Sequence, residues 1–292
     1  MHEPVMVTET LEWLDPGRGG LFVDCTVGLG GHAQALLRGG ATRLIGLDRD
    51  SSALERAKEN VALWSDRVEL VHSDYRHLDN VLLTRGVTKV DGLLIDMGLS
   101  SMQLETPGRG FSFQRDEALD MRMDQSNGNT AAEILREADT TTLANVIHEF
   151  GEERYARRIA RGIVRARAND SIETTGQLAA IVRRAIPYRG HTRIDPATRT
   201  FQAIRIWVNS ELEELDNFLE MAVQKLSVGA RLVAITFHSL EDRIVKHKFR
   251  ALQEGSKVRL RVLTKRPLVP GEEESRRNPR SRSAKFRVIE RI

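Results

Sequence analysis

Cysteine is almost absent: among 292 residues only Cys25 carries a thiol. A single cysteine excludes an internal disulfide and a cysteine-built metal cluster, and it suits a reducing compartment. No metal-binding motif is evident elsewhere. Long hydrophobic runs are missing too. The opening stretch Met1-His2-Glu3-Pro4-Val5, followed by Glu9, has no apolar region of the kind a signal peptide needs. The longest apolar stretches are far too short to span a bilayer. These absences lead to the expectation of a soluble cytoplasmic protein without a membrane partner. No internal repeat or low-complexity tract is visible. Excess charge of one sign is small: 44 Lys and Arg against 41 Asp and Glu leave a formal net charge of +3. The whole-molecule field is therefore weak, and the placement of charge says more than its total. What remains is an ordinary globular mixture, 40% hydrophobic and 29% charged. It is long enough to bury a core without staples and to form one large domain or two smaller ones.

The first hundred residues alternate strand and helix patterns. Short apolar runs over 21–25, 43–47, 68–72 and 90–95 read as strands, and helical spacing follows over 31–38 and 51–63. From 101 to about 200 no convincing strand is found. Pro107, Gly108 and Gly110 mark a loop. Helices are predicted over 131–135, 143–150, 153–167 and 175–185, and a loop rich in Gly, Pro and His over 187–197. The alternation then returns. Residues 201–226 read as one long helical stretch with Ile204, Val208, Leu212, Leu215 and Leu219 roughly on one face. A strongly apolar strand over 231–237 follows, then a helix over 240–252. Closing strands over 258–263 and 284–290 flank a charged loop. The pattern predicts an α/β fold: a Rossmann-like, doubly wound and mostly parallel sheet with an inserted α-helical domain. Residues 1–103 and 200–292 would form the core, and 104–199 the insert, the natural substrate-recognition module beside the crevice.

The strongest local motif is Asp24-Cys25-Thr26-Val27-Gly28-Leu29-Gly30-Gly31-His32, set between a strand and a helix. Glycines there let the backbone turn tightly and approach a ligand. About 20 residues after Gly28, Asp48 closes the second strand, where an acid can accept bonds from ribose hydroxyls. Asp74 and Asp96 close the third and fourth strands, and in a parallel sheet such ends line one crevice. The glycine pattern alone leaves alternatives. Gly28, Gly30 and Ala33 also fit the G-x-G-x-x-A of dinucleotide enzymes. A tight turn without a ligand is a third reading, and Asp48 could cap the next helix.

Other motifs are more specific. They include His2-Glu3-Pro4-Val5, Leu47-Asp48-Arg49-Asp50, Asp96-Met97-Gly98-Leu99-Ser100-Ser101 with Gln103, and Arg109-Gly110-Phe111-Ser112-Phe113. Leu119-Asp120-Met121-Arg122-Met123, Thr200-Phe201-Gln202-Ala203-Ile204-Arg205-Ile206, Phe237-His238-Ser239-Leu240-Glu241-Asp242-Arg243 and Asn278-Pro279-Arg280-Ser281-Arg282-Ser283-Ala284-Lys285 follow in order. With the glycine motif, this set resembles the RsmH (also called MraW) family of small-subunit ribosomal RNA cytosine-N4 methyltransferases over nearly the whole chain. The resemblance implies a class I methyltransferase fold and methyl transfer from S-adenosylmethionine to a cytosine N4 in the decoding centre of 16S rRNA. The rRNA would be met within the small ribosomal subunit. Carried over by position, Gly30, Gly31 and His32 would contact the cofactor and Asp48 its ribose. Tyr75 and Asp96 would flank the adenine and sulfonium region, and Gln103 would add a polar contact. One departure is visible: DNA amine methyltransferases carry Asp/Asn-Pro-Pro-Tyr/Phe after the fourth strand, where this chain has Asp96-Met97-Gly98-Leu99-Ser100.

The residues permit that chemistry. An exocyclic amine is a poor nucleophile, so positioning supplies much of the acceleration, and an acceptor on the amine favours the developing charge. Asp96 is the candidate acceptor, Ser100 a second, although a serine there also suits a helix cap. C5 methylation of pyrimidines needs a cysteine nucleophile. Cys25 lies inside the glycine turn and reads as a small packed residue. Phe237 and His238 follow a strand and could contact a flipped base, or His238 could be structural. His191 and Arg193 lie in a loop that could touch RNA or solvent. Arg154, Arg158, Arg161 and Arg165 recur at helical spacing and could track phosphates, unless Glu149, Glu152 and Glu153 pair with them. Arg276, Arg277, Arg280, Arg282, Lys285 and Arg287 suggest a flexible basic loop for phosphate contact, preceded by Glu272, Glu273 and Glu274. A nicotinamide oxidoreductase, a noncatalytic RNA-binding factor and a DNA methyltransferase are the rival readings. The sequence leaves the oligomeric state open.

Overall fold

The strands form where the chain has short apolar runs whose alternate residues feed two separate cores. In the computed structural model, which describes residues 4–99, 101–187 and 195–292, these are β1 (Leu21–Asp24), β2 (Arg43–Asp48), β3 (Val68–His72), β4 (Val90–Asp96), β5 (Leu226–Thr236), β6 (Leu260–Val262) and β7 (Lys285–Arg291). They make one seven-stranded sheet in the order β3-β2-β1-β4-β5-β7-β6. All neighbours are parallel except β7, which runs antiparallel to β5 and β6. The order reverses between β1 and β4, which is where an open α/β sheet binds its ligand. This is a doubly wound, Rossmann-like arrangement, as the sequence pattern predicts.

Helices α1 (Val7–Leu14), α2 (Gly31–Arg38), α3 (Ser51–Asn60) and α4 (Leu78–Leu83) alternate with the first strands. Then come α5 (Ser101–Glu105), α6 (Ala131–Glu137), α7 (Thr140–Gly151), α8 (Ala156–Arg167), α9 (Thr175–Ala185) and α10 (Ala197–Asn209). The chain ends with α11 (Leu215–Lys225), α12 (Ser239–Gly255) and α13 (Glu272–Arg277). On one face of the sheet Val23, Ile45, Leu93 and Leu232 pack with Leu82 of α4, Phe218 of α11 and Phe249 of α12. On the other, Phe22, Leu44, Leu94 and Val233 pack with Leu14 of α1, Leu36 of α2 and Leu54 of α3.

The chain divides into two compact units, residues 1–100 with 213–292, and residues 101–212. The second unit is helical. Its helices start where the sequence supplies caps: Thr130 and Thr174 form reciprocal capping boxes with Glu133 and Gln177, and Asp139 accepts from Thr141 and Thr142. Leu143 and Ile147 of α7, Ile159 and Ile163 of α8, Leu178 of α9 and Ile204 of α10 are fully buried.

Two expectations are corrected. The stretch 201–226 is not one helix: α10 ends at Asn209, Ser210 takes φ 48 and Glu214 φ 62, and α11 starts afresh at Leu215. Both left-handed residues break the helix. Leu226 then opens β5, which begins five residues before the expected strand. The basic stretch 276–287 is not an open loop. It contains α13, a 3-10 turn over Pro279–Ser283 with Ser281 buried, and the start of β7. No helix among the described residues is long and apolar enough to cross a membrane.

Candidate cofactor and catalytic site

The glycine turn joins β1 to α2. Gly28 and Gly30 take φ of 51° and 82°, a left-handed conformation that disfavours a side chain. The turn is held from β2: the Gly28 N–H donates to Asp48 Oδ2 at 2.8 Å, and the Val27 N–H to the Leu47 carbonyl at 2.7 Å. Among the described residues no side chain caps α2, so its first N–H groups are available to an anionic or polar ligand atom. Gly30 and Gly31 sit at this helix start.

Asp48 is half-buried at the end of β2. Its Oδ1 accepts from the Asp50 N–H at 2.8 Å, so each carboxylate oxygen already holds one backbone N–H and keeps a lone pair. Burial raises its pKa, partly offset by those two N–H donors. It does not cap α3; Asp50 does, accepting from Ser52. The cap reading of Asp48 is thereby removed.

Beneath the turn lies a buried cluster of titratable groups from three elements. Asp24, at the end of β1, is fully buried. Its Oδ1 accepts from the Thr26 N–H at 3.2 Å, and its Oδ2 has no hydrogen-bond partner. Desolvation pushes its pKa up to about 7, against the attraction of His32. His32, on the first turn of α2, is also buried, with Nε2 3.5 Å from Asp96 Oδ2. That spacing is an ion-pair contact, too long for a well-formed hydrogen bond. Burial disfavours a charge on His32, but Asp96 and then Asp24 outweigh it and raise the pKa. Asp96 ends β4, opposite Ile235 of β5. Its backbone N–H donates to Thr26 Oγ1 at 2.7 Å, which ties β4 to the glycine turn. Cys25 is buried beside them, and burial pushes its thiol pKa well above its ordinary value. It is a packed neutral thiol, as the sequence suggested.

Asp74, at the end of β3, has a different role. It makes a two-point ion pair with Arg76 at 2.9 Å and caps the following 3-10 turn. Burial raises its pKa, but the Arg76 hydrogen bonds win and lower it. It therefore orients that turn, on which Tyr75 stands half-buried with its ring edge-on to Phe218 at 4.8 Å. Gln103 is buried on α5, in the helical unit. Ser100, His191 and Arg193 lie outside the described residues.

After β5, Phe237 lies with its ring against Gly98: a Cβ at residue 98 would come within 2.8 Å of Phe237 Cε2. The adjoining His238 is the N-cap of α12. Glu241 Oε2 accepts from the Phe237 N–H at 2.8 Å, and Glu241 Oε1 lies 2.9 Å from His238 Nε2. The His238 side chain is largely covered and engaged with Glu241, and Phe237 is half-exposed.

The basic groups divide sharply. On α8, Arg157, Arg158, Arg161 and Arg165 are exposed. None pairs with a carboxylate among the described residues; Arg154 stacks on Tyr155 at 4.6 Å. Glu153, which could have neutralised them, is buried and accepts from the Tyr155 N–H instead. The C-terminal cations are mostly paired. Arg287 is buried and bonds Asp242 at 2.6 Å, Lys285 reaches the same carboxylate at 3.3 Å, and Arg276 pairs with Glu272 at 2.9 Å. Arg280 is half-exposed, and Arg282 is exposed while donating to the Ser275 carbonyl at 3.0 Å.

Two residues near the cluster were not singled out from sequence. Thr26 ties Asp96 to the turn. Glu274 of α13 accepts from the Met6 N–H at 2.8 Å and adds to the raised pKa of His32. Thr26 was visible inside the glycine motif; nothing local marks Glu274, which arrives from the far end of the chain.

The geometry fits a nucleoside-bearing cofactor: a helix start with no side-chain cap among the described residues, an acid with free lone pairs at the end of β2, and one buried Asp24 oxygen below with no partner among the described residues. Among known proteins, the chain is 48% identical to the ribosomal RNA small subunit methyltransferase H of Geobacter sulfurreducens, covering 100% of this chain and 99% of that one. It is 44% identical to the protein of that name from Carboxydothermus hydrogenoformans, covering 100% and 98%. A solved rRNA methylase from Streptococcus thermophilus is similar over 100% and 99% of the two chains at 10% identity and a TM-score of 0.45, a likeness too slight to add weight. The model of the MraW methylase family matches residues 1–292. The chain belongs to the MraW methylase family, enzymes that take their methyl group from S-adenosylmethionine.

Proposed function

We propose that this enzyme methylates the exocyclic N4 of a cytosine in the decoding centre of 16S rRNA, in the cytoplasm and on the small ribosomal subunit. The substrate class is supported by the names of the relatives, which match over the whole chain. The cytosine and its N4 rest on the motif resemblance. The observation that carries the chemistry is the placement of Asp96 at the switch point of the sheet, tied to the glycine turn through Thr26 and backed by the buried His32.

S-adenosylmethionine, when bound, supplies an electrophilic methyl group on its sulfonium. The chain's own residues do the rest. Gly30, Gly31 and the start of α2 let the backbone approach the cofactor. The remaining lone pairs of Asp48 accept from ribose hydroxyls. Tyr75 flanks the adenine, and Gln103 adds a polar contact. The target amine must be held in line with the methyl group, because its lone pair is delocalised into the ring. The Asp96 carboxylate accepts a hydrogen bond from that amine and takes up its proton as positive charge develops. Ser100 is a second acceptor. His32 holds the Asp96 carboxylate in place from behind. Phe237 offers a ring face to the flipped base, with His238 beside it and Glu241 fixing the Phe237 backbone through the α12 cap. Arg158 and Arg161 on α8, and Arg280 and Arg282 near β7, contact phosphates.

The test is the nucleoside content of 16S rRNA from a strain lacking the gene. Loss of N4-methylated cytidine, restored by the wild type and not by Asp96→Ala, supports the reading. Full restoration by a folded Asp96→Ala protein would remove Asp96 from the chemistry. Unchanged rRNA in the deletion strain would refute the substrate.

A further inference from the structure

The helical unit contains a recess of about 350 Å³ between α6, α8 and the turn leading to α9. Its size falls at the low end for sites that take a small molecule, roughly 300–1,000 Å³. The walls are of two kinds. Ala132, Leu135, Val164 and Ile172 give apolar surface, while Arg136, Arg167 and Glu173 bring charge. Arg167 is fixed, since its guanidinium donates to the Leu135 carbonyl and bridges α8 to α6. Arg136 is exposed on the last turn of α6. The Glu173 carboxylate is exposed, while its backbone N–H is satisfied by Gln177 at 2.7 Å.

The position of the recess on α8 gives it a meaning. Arg158, Arg161 and Arg165 are exposed, and Ala168, which lines the recess, continues the same spacing of three and four residues. Residues so spaced share one helix side. The arginine row therefore leads along α8 to the mouth of the recess. A row of guanidinium groups with no carboxylate partner among the described residues, leading to a partly apolar recess with a carboxylate at its edge, matches one chemistry: a polyanionic strand that carries planar, hydrogen-bonding rings. We propose that the recess is a nucleotide-binding subsite, holding one unpaired base of an RNA strand whose phosphates lie along Arg158, Arg161 and Arg165. Glu173 accepts from an exocyclic amino group, so the site prefers cytosine, adenine or guanine over uracil, which has none. The subsite rests on the RNA-substrate reading above but not on which base is methylated.

Full-length protein and a fluorescent single-stranded RNA oligonucleotide test it by anisotropy over a range of salt. Ala132→Phe, which fills the recess, is expected to weaken binding several-fold without altering the salt dependence, because no phosphate contact is lost. Arg161→Ala is expected to weaken binding and to flatten the salt dependence. Glu173→Gln is expected to reduce the preference for a cytosine-containing over a uracil-only oligonucleotide. Photocrosslinking of the wild type with a 6-thioguanosine-containing oligonucleotide covers the case in which Ala132→Phe fails to fold; peptides containing Leu135, Val164 or Ile172 should carry the crosslink. Wild-type affinity in Ala132→Phe and Glu173→Gln, or crosslinks confined to other peptides, would overturn the subsite. Methyl transfer to small subunits, measured on the same preparations, separates the two readings: intact transfer with a negative recess result removes the subsite alone, and absent transfer by the wild type removes the function.

Discussion

Asp24 shows how much of the site's character comes from burial. A carboxyl group with no solvent contact and one unpartnered oxygen ionises reluctantly, and its pKa rises from 3.8 to about 7. In the unfolded chain it ionises near 3.8, so between these values the folded state holds the extra proton. Stability then falls as pH climbs from about 4 to about 7 and is flat above. Asp24→Asn removes that loss while still accepting from the Thr26 N–H. Thermal melts without added cofactor should show the variant gaining on wild type across this window, with no gap at pH 4. A constant gap at every pH would contradict the raised pKa. His32 is linked in the same sense: its folded pKa is raised, so its contribution is complete below about 6.5 and fades as pH passes the folded value. A second residue prediction concerns Gly98, which the Phe237 ring covers. Gly98→Ala would displace that ring. Methyl transfer is expected to fall roughly tenfold or more, with S-adenosylhomocysteine binding unchanged by calorimetry. Equal loss of both would make Gly98 part of the cofactor pocket instead.

At the scale of elements, the sequence was legible where local signals agree with the fold. The strand runs ending in Asp48, Asp74 and Asp96 alternate between two apolar cores, and α6, α7 and α9 begin at Thr130, Asp139 and Thr174, residues that cap. The miss at 201–226 has a local cause. Apolar spacing persists through Leu212 and Leu215, but Ser210 and Glu214 adopt left-handed backbones without the glycine that normally signals one. Ser210→Gly should therefore stabilise the protein, by roughly 0.5–1 kcal/mol after the cost of glycine's freedom in the unfolded chain. Urea titration measures it, and a destabilised variant would show that the Ser210 side chain matters more than its backbone. The basic tail was misread for another reason: composition shows charge but not its partners, and Asp242, which holds Arg287 and Lys285, lies where only the fold brings it. The α8 row was legible because helical spacing alone sets its face. For each phosphate contact removed there, the slope of log affinity against log salt should fall by about 0.7 on single-stranded RNA. An unchanged slope in an Arg158→Ala, Arg161→Ala protein would return α8 to a solvated face.

For the whole molecule, the sheet order and its switch point place four strand-end acids from distant parts of the sequence along one edge. Of these, Asp74 is bound up with Arg76, Asp24 is buried below, and Asp48 and Asp96 are half-exposed. The burial of Asp24 and the pairing of Asp74 with Arg76 were not visible in the sequence, because they depend on the fold and on partners. The proposed target rests on resemblance; the spacing of residues alone ends at a methyltransferase-like protein acting on nucleic acid. The helical unit supplies the exposed arginine row on which RNA recognition is placed. The most direct test of the account is transfer of labelled methyl groups from S-adenosylmethionine to small ribosomal subunits isolated from a strain lacking this protein, followed by nucleoside analysis. The account predicts label in N4-methylated cytidine of 16S rRNA, abolished by Asp96→Ala. Label in another nucleoside, or none in subunits or free 16S rRNA while S-adenosylhomocysteine still binds, would contradict it.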